Sequence, residues 1–226
     1  MFFVSTVLIL GSCQSDLDVT PEDDDVLLTE NFYNTPGAYK QAIAGVYSNL
    51  SLPGATNATT SSIAGVDPGT SQYGRCLWYL QCLSTEEAVW SYEADPGVRE
   101  IQRGIWAASN PLLQGMFSRA MFQVVLSNEF LRQSTPEKLA SRNVSSADMA
   151  EMPYYRAEAR VLRALAYYHL MDTFGKAAFV TEADPIDANF KPQQYERAQL
   201  FNFVKTELEA VMNQLKPART NEFGRV

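Results

Sequence analysis

The sequence predicts an all-α body of stacked helix pairs joined by long irregular loops. Three observations predict it. Apolar residues recur at the three- and four-residue spacing of a buried helix face through most of the chain after residue 35. Residues that start and stop helices bracket those stretches. Runs that alternate apolar and polar, the mark of a half-buried strand, are scarce.

The totals permit such a body. The chain has 226 residues, 46% of them hydrophobic and 12% aromatic, enough to fill a core at about 100–200 residues per domain. The balance of 18 basic to 26 acidic residues gives a formal charge of −8. No basic stripe is available to displace counterions, which argues against nucleic acid as a partner. It also argues against recruitment to anionic lipid by charge alone. The 3 Trp, 11 Tyr and 12 Phe are more than a small core needs.

The N-terminus points to a compartment. Residues 2–10 form a short apolar run that ends in Gly11-Ser12-Cys13. About 20 apolar residues are needed to span a bilayer, so the run suits the h-region of a signal peptide over residues 1–12. Leu10-Gly11-Ser12-Cys13 resembles a bacterial lipobox, in which the Cys thiol becomes lipidated once the signal is removed. Two or more acyl chains hold a protein stably at a membrane, whereas one does not. The competing reading, a buried N-terminal element with an incidental Cys, fits less well because the run opens the chain and a polar tail follows it. The n-region lacks Lys and Arg, a departure that would follow if the true start lay upstream. Residues 13–34 are acidic and Pro-punctuated and read as a flexible tether. The Asp23-Asp24-Asp25 run resembles a surface-export signal and reads equally as a solvated charge run. Calcium binding there lacks the loop spacing.

The body is read as residues 35–226. Thr35 and Pro36 suit a helix start, with Ala42, Ile43, Val46, Tyr47 and Leu50 on its buried face. Residues 51–75 have no period and read as a long loop, a kind of segment that often carries function. A helical region over about 98–132 divides at Ser109-Asn110-Pro111, where Asn110 caps the second helix. Phe117, Met121, Val124, Val125 and Leu131 form that helix's stripe. Residues 133–150 read as a loop or short helix. The clearest helix starts near Pro153 and stops at Gly175. Ala157, Val161, Ala164, Leu165, Tyr168 and Met171 line one of its faces, and Arg156, Arg160 and Arg163 another. A last helix runs over about 197–215, with Leu200, Val204, Leu208, Val211 and Leu215 inward. Small residues alternating with large ones resemble helix pairs of tetratricopeptide type, although no clean repeat of about 34 residues is visible.

Catalytic chemistry finds little support. The one His, His169, sits in an apolar helical stretch and reads as a residue without a catalytic task. The sequence holds no GxSxG, P-loop, GxGxxG or CxxC pattern, so no cofactor and no metal site is expected. With Cys13 lipidated, Cys76 and Cys82 remain, and sequence leaves a bridge and two free thiols equally open.

The string Glu158-Ala-Arg160-Val-Leu162-Arg163-Ala164-Leu-Ala-Tyr167-Tyr168-His-Leu170-Met-Asp-Thr-Phe174-Gly175 resembles the signature helix of SusD/RagB proteins. Supporting pieces occur in the same order. They are Phe32-Tyr33-Asn34-Thr35-Pro36 leading into Gly45-Val46-Tyr47, then Ser84-Thr85-Glu86-Glu87, then Arg197 opening a helix. The resemblance implies a cell-surface, lipid-anchored, non-enzymatic protein of the Bacteroidetes outer membrane. Such a protein binds glycan or peptide and hands it to a TonB-dependent (SusC-like) transporter. Because the family is usually about twice as long, the resemblance also implies that residues 35–226 are an N-terminal helical domain truncated at its C-terminal end.

Sugar rings stack on aromatic planes while their hydroxyls go to polar neighbours. Trp78, Trp90, Tyr92 and Trp106, in or beside irregular segments, are the candidate ligand residues. Trp90 and Tyr92 are favoured by the turn Glu93-Ala94-Asp95-Pro96-Gly97, and Trp106 is read as a helix residue turned to the core. The Arg156/Arg160/Arg163 face reads as pairing with neighbouring carboxylates before it reads as an anion site. The alternative function is a tetratricopeptide-like scaffold lipoprotein that binds a partner protein and no glycan. A surface glycosidase would need two carboxylates held apart across a cleft, and adjacent Glu86 and Glu87 do not offer that.

Overall fold

The computed structural model describes residues 29–54, 60–63 and 67–226. Cys13, the signal over 1–12 and most of the 13–34 tether lie outside them. The described part of that tether is a helix, α1 (Thr29–Tyr33). The body therefore begins by residue 29 and not at 35. Burial of Tyr33 and packing of Phe32 order it, and Arg142 donates to both carboxylate oxygens of Glu30, at 2.7 and 3.0 Å.

Helix α2 (Ala38–Ser48) starts later than Thr35-Pro36 suggests. Thr35 instead closes α1, its Oγ1 donating to the Phe32 carbonyl at 2.7 Å. The N-cap of α2 is Gly37 at φ 76°, a conformation that suits glycine, and its N–H donates to Asp148 Oδ2 at 3.1 Å. The expected inner face holds: Ile43 and Val46 are buried, and Ala42, Tyr47 and Leu50 pack against them.

A helix that the sequence reading does not predict, α3 (Tyr73–Cys82), follows the long loop. Its Gly74 and Gln81 obscure a stripe of Tyr73, Cys76, Tyr79 and Leu83, all buried. Helix α4 is only one turn (Val98–Gln102), because Gly104 takes φ 64° and redirects the chain. Helix α5 (Pro111–Gln133) starts as expected, with Asn110 Oδ1 accepting from Leu112 N at 2.9 Å and Pro111 in the first turn. Its stripe is displaced from the predicted one. Phe117 and Val125 are exposed, whereas Arg119, Gln123, Ser127 and Asn128 face inward. Polar side chains occupy the buried positions by bonding backbone: Arg119 Nε reaches the Ser71 carbonyl and Gln123 Nε2 the Val46 carbonyl.

After the short helix α6 (Pro136–Ser141) comes α7 (Ser146–Phe174), the axis of the molecule. It starts seven residues before Pro153, which stands inside it at the cost of one ladder bond. Ser145 caps it by accepting from Asp148 N at 3.0 Å, and Gly175 at φ 75° ends it as predicted. Its neighbours surround it, so burial is not confined to one face. Leu162, Ala166, Tyr167 and Leu170 are buried along with Ala157 and Ala164, while Tyr168, predicted inward, is exposed.

Two short strands, β1 (Lys176–Phe179) and β2 (Gln193–Glu196), pair antiparallel, and α8 (Arg197–Val211) returns along α7. A reciprocal capping box between Glu196 and Gln199 opens α8. Leu200, Val204 and Val211 turn inward as expected, but Leu208 is exposed because Glu207 takes the buried place. Glu207 accepts from Arg160 at 2.7 Å and from Arg163 at 2.8 Å, and Arg163 also reaches Asn128 and Glu182. Arg156 donates to the Leu131 and Ser134 carbonyls. The arginine face is thus spent within the fold: Arg160 and Arg163 pair with carboxylates as expected, whereas Arg156 goes to backbone carbonyls instead. The helices α5, α7 and α8 form a stacked slab, and among the described residues the architecture is all-α apart from one two-stranded ribbon. Among the described residues no helix is long and apolar enough to cross a membrane.

Candidate functional site

Residues 83–110 connect α3 to α5 over a small core of Tyr79, Leu83, Val98, Ile101 and Leu112. With only one turn of helix, this segment is shaped by local bonds. Asn110 Nδ2 donates to the Gly97 carbonyl at 2.9 Å, and Gly97 lies at φ 82° against the Asn110 side chain. Glu93 accepts from Arg103 at 2.8 Å. Trp90 donates its indole N–H to Asp95 Oδ2 at 3.2 Å and its backbone N–H to Gln102 Oε1.

These bonds gather three of the four candidate aromatics. The Trp78 and Trp90 rings lie 5.9 Å apart at 70°, and Trp90 and Tyr92 lie 5.8 Å apart at 53°. Tyr79, fully buried, backs both tryptophans at 5.6 Å. Trp78 is 39% and Tyr92 66% exposed, so the cluster is a surface and not a core. Edge-to-face contacts of this kind hold aromatic rings in defined orientations. Trp78 was placed beside an irregular segment by the sequence, yet it stands on α3.

Trp106 corrects a second expectation. The chain leaves the helix at Gly104, so Trp106 lies on a loop and is 45% exposed instead of in the core. It edges a hollow of about 260 Å³ lined by Leu80, Gln81, Ser84, Ile101, Leu113, Asp172 and Thr173. Ile101, whose other neighbours support Trp90, joins the hollow to the aromatic cluster. Hydrogen-bonding groups beside an exposed indole are what a sugar requires. Sequence reasoning missed Gln81, Ser84, Asp172 and Thr173, because α7 brings the last two from about 90 residues away. It also missed Tyr79, Asp95 and Gln102, which support the rings from beneath or beside. A Trp-x-Tyr ahead of a Pro-Gly turn was the only local signal.

The remaining candidates resolve plainly. His169 Nδ1 lies 2.8 Å from the Tyr73 hydroxyl, and burial lowers its pKa against the pull of nearby Asp172. Glu86 and Glu87 are exposed on the turn after α3. Cys76 and Cys82 are both free, and burial pushes the Cys76 thiol up to about 12. Among the described residues no group of His, Cys, Asp and Glu is arranged to hold a metal ion.

No protein-family model matches the chain. In sequence it is 25% identical, over 231 aligned residues, to the starch-binding protein SusD of Bacteroides thetaiotaomicron, and it spans 38% of that protein's length. A SusD superfamily protein from Bacteroides vulgatus superposes with a TM-score of 0.63 at 18% identity, over 86% of this chain and 37% of that one. A laminarin-binding SusD-like protein superposes with a TM-score of 0.61 at 14% identity, again over 86% and 37%. The fold is SusD-like, and in sequence the chain is similar to SusD over its whole length.

Proposed function

We propose that this chain is the helical, glycan-contacting part of a cell-surface binding protein that captures oligosaccharide and delivers it to a TonB-dependent outer-membrane transporter without chemically altering it. The observation that carries the proposal is the cluster of exposed Trp78 and Tyr92 around half-buried Trp90, joined through Ile101 to the hollow at Trp106. A chain of sugars would lie with ring faces on the indoles and hydroxyls toward Gln81, Ser84, Asp172 and Thr173. The similarity to a starch-binding and a laminarin-binding protein supports this class of ligand. The −8 charge suits a neutral polymer better than a polyanion.

Anchoring belongs to the same proposal. Cys13 carries the lipid that holds the protein at the outer membrane, with an acidic stretch between lipid and body. Cells grown with labelled palmitate should label the wild type and not Cys13→Ala, and Cys13→Ala should leave the envelope fraction.

The binding test is affinity electrophoresis through gels containing soluble starch or laminarin. Wild type should be retarded by at least one polymer, and Trp90→Ala should weaken retardation about fivefold, the worth of one aromatic contact. Unchanged retardation in Trp90→Ala would favour the scaffold reading, in which the same helices bind a partner protein.

A further inference from the structure

An indole can serve a sugar in two ways, through the flat face of its ring or through its single N–H donor. At Trp90 the second way is closed, because the N–H donates to Asp95 Oδ2 at 3.2 Å. The same residue is fixed at its backbone by Gln102 on α4. Asp95 is itself immobilised. Its backbone N–H donates to the Tyr92 carbonyl at 3.0 Å, and its carbonyl accepts from Val98 N at 3.1 Å, at the start of α4. Two residues on, Gly97 is clamped to the N-cap of α5 through Asn110. Arg99 and Arg103 do not engage Asp95; their partner is Glu93. The Asp95 carboxylate, half-buried beside the ring, is thus placed to hold the indole.

We propose that Asp95 is the positioning residue of the aromatic surface, fixing the rotation of the Trp90 ring and committing that ring to recognise a sugar through its face alone. This rests on the glycan reading above. Ring contacts with Trp78, Tyr79 and Tyr92 confine the indole, and the bond to Asp95 selects one orientation among those they allow. Held by Asp95, it presents the same plane between Trp78 and Tyr92 before ligand arrives, so the cost of selecting that orientation is absent on binding. Hydroxyl recognition then falls to the polar groups of the Trp106 hollow.

The test uses the full chain with Asp95→Ala, Asp95→Asn, Trp90→Phe and the double variant Trp90→Phe/Asp95→Ala. The first readout needs no ligand: the circular-dichroism exciton signal of the Trp78–Trp90 pair, whose rings are 5.9 Å apart. Asp95→Ala should diminish it, and Asp95→Asn should keep it, because the amide oxygen still accepts the N–H. The second readout is retardation in starch and laminarin gels. Asp95→Ala should weaken it about fivefold, as loss of one hydrogen bond does, and Asp95→Asn should stay within about twofold of wild type. In the Trp90→Phe background, which lacks the N–H, Asp95→Ala should add nothing. An unchanged exciton signal in Asp95→Ala overturns the proposal. So does an undiminished Asp95→Ala effect in the Trp90→Phe background, which would mean that Asp95 touches the glycan itself. If neither polymer retards the wild type, the glycan reading fails, while the exciton signal still decides the positioning role.

Discussion

The slab of α5, α7 and α8 and the connecting segment 83–110 are held in shape by opposite means. In the slab, charge is buried and answered across helices: Arg163, 3% exposed, meets Glu207 of α8, Asn128 of α5 and Glu182 of the following loop. In the segment, apolar residues such as Val89 and Ile105 are exposed, and side chains bond backbone within the segment itself, 12 and 13 residues away. Long-range ionic pairing makes the slab a fixed frame. Short-range bonding lets the segment carry an aromatic surface whose residues can change without disturbing that frame. Substitutions in the slab should therefore register as stability, and those in the segment as binding.

Arg163→Ala presses hardest on the first half of that contrast. It leaves Glu207 with Arg160 alone and takes the arginine from Asn128 and Glu182, and should cost about 3 kcal/mol in urea denaturation, the low end for breaking a buried pair. A loss below about 1 kcal/mol would mean that the slab does not depend on its buried charges. Gly97→Ala tests the boundary between the regions. A Cβ there would sit 2.7 Å from Asn110 Oδ1 at a positive φ, so about 1–3 kcal/mol should be lost from the α5 cap and glycan retardation should fall with it.

Acid should separate the regions further. Burial pushes Glu207 up, but hydrogen bonds from Arg160 and Arg163 outweigh it and hold the carboxyl below its ordinary value of 4.5. Burial also opposes Arg163 at Glu182, with the same net lowering. Groups lowered in the folded state contribute stability that is complete above their unfolded pKa and lost as pH falls through the folded value. Glu207→Gln should be less stable than wild type at neutral pH and should lose less on acidification, as thermal melts from neutral to acid pH would record. Parallel curves for the two proteins would remove Glu207 from the account. The smallest stability effect belongs to Tyr92→Ala. At 66% exposure it should shift stability by no more than about 0.5 kcal/mol while weakening retardation in starch or laminarin gels.

The same contrast explains what the sequence discloses. The predicted starts and stops at Asn110, Gly175 and Arg197 hold because they depend on residues within one turn. The inward faces of α5 and α8 are only partly legible, since pattern reading assumes polar residues point outward. Arg119, Gln123 and Glu207 violate that assumption, and they displace Phe117, Val125 and Leu208 to the surface. Their partners are distant in the chain, with Glu207 lying 44 residues from Arg163. Of the site, the aromatics were legible as residue types in or beside irregular segments, and the turn after Tyr92 singled out Trp90 and Tyr92, whose rings lie 5.8 Å apart. The hollow at Trp106 was not legible, because it needs both the turn at Gly104 and the end of α7.

The two cysteines of α3 differ in a way that can be turned to use. Cys76 is sealed against Gly115 of α5, where even a methyl group would come within 3.1 Å of its sulfur, whereas Cys82 is partly accessible. A thiol-reactive dye should therefore tag Cys82 promptly and Cys76 only when the seam between α3 and α5 parts. The lag between the two tags is a built-in clock for how often the frame beneath the aromatic surface breathes.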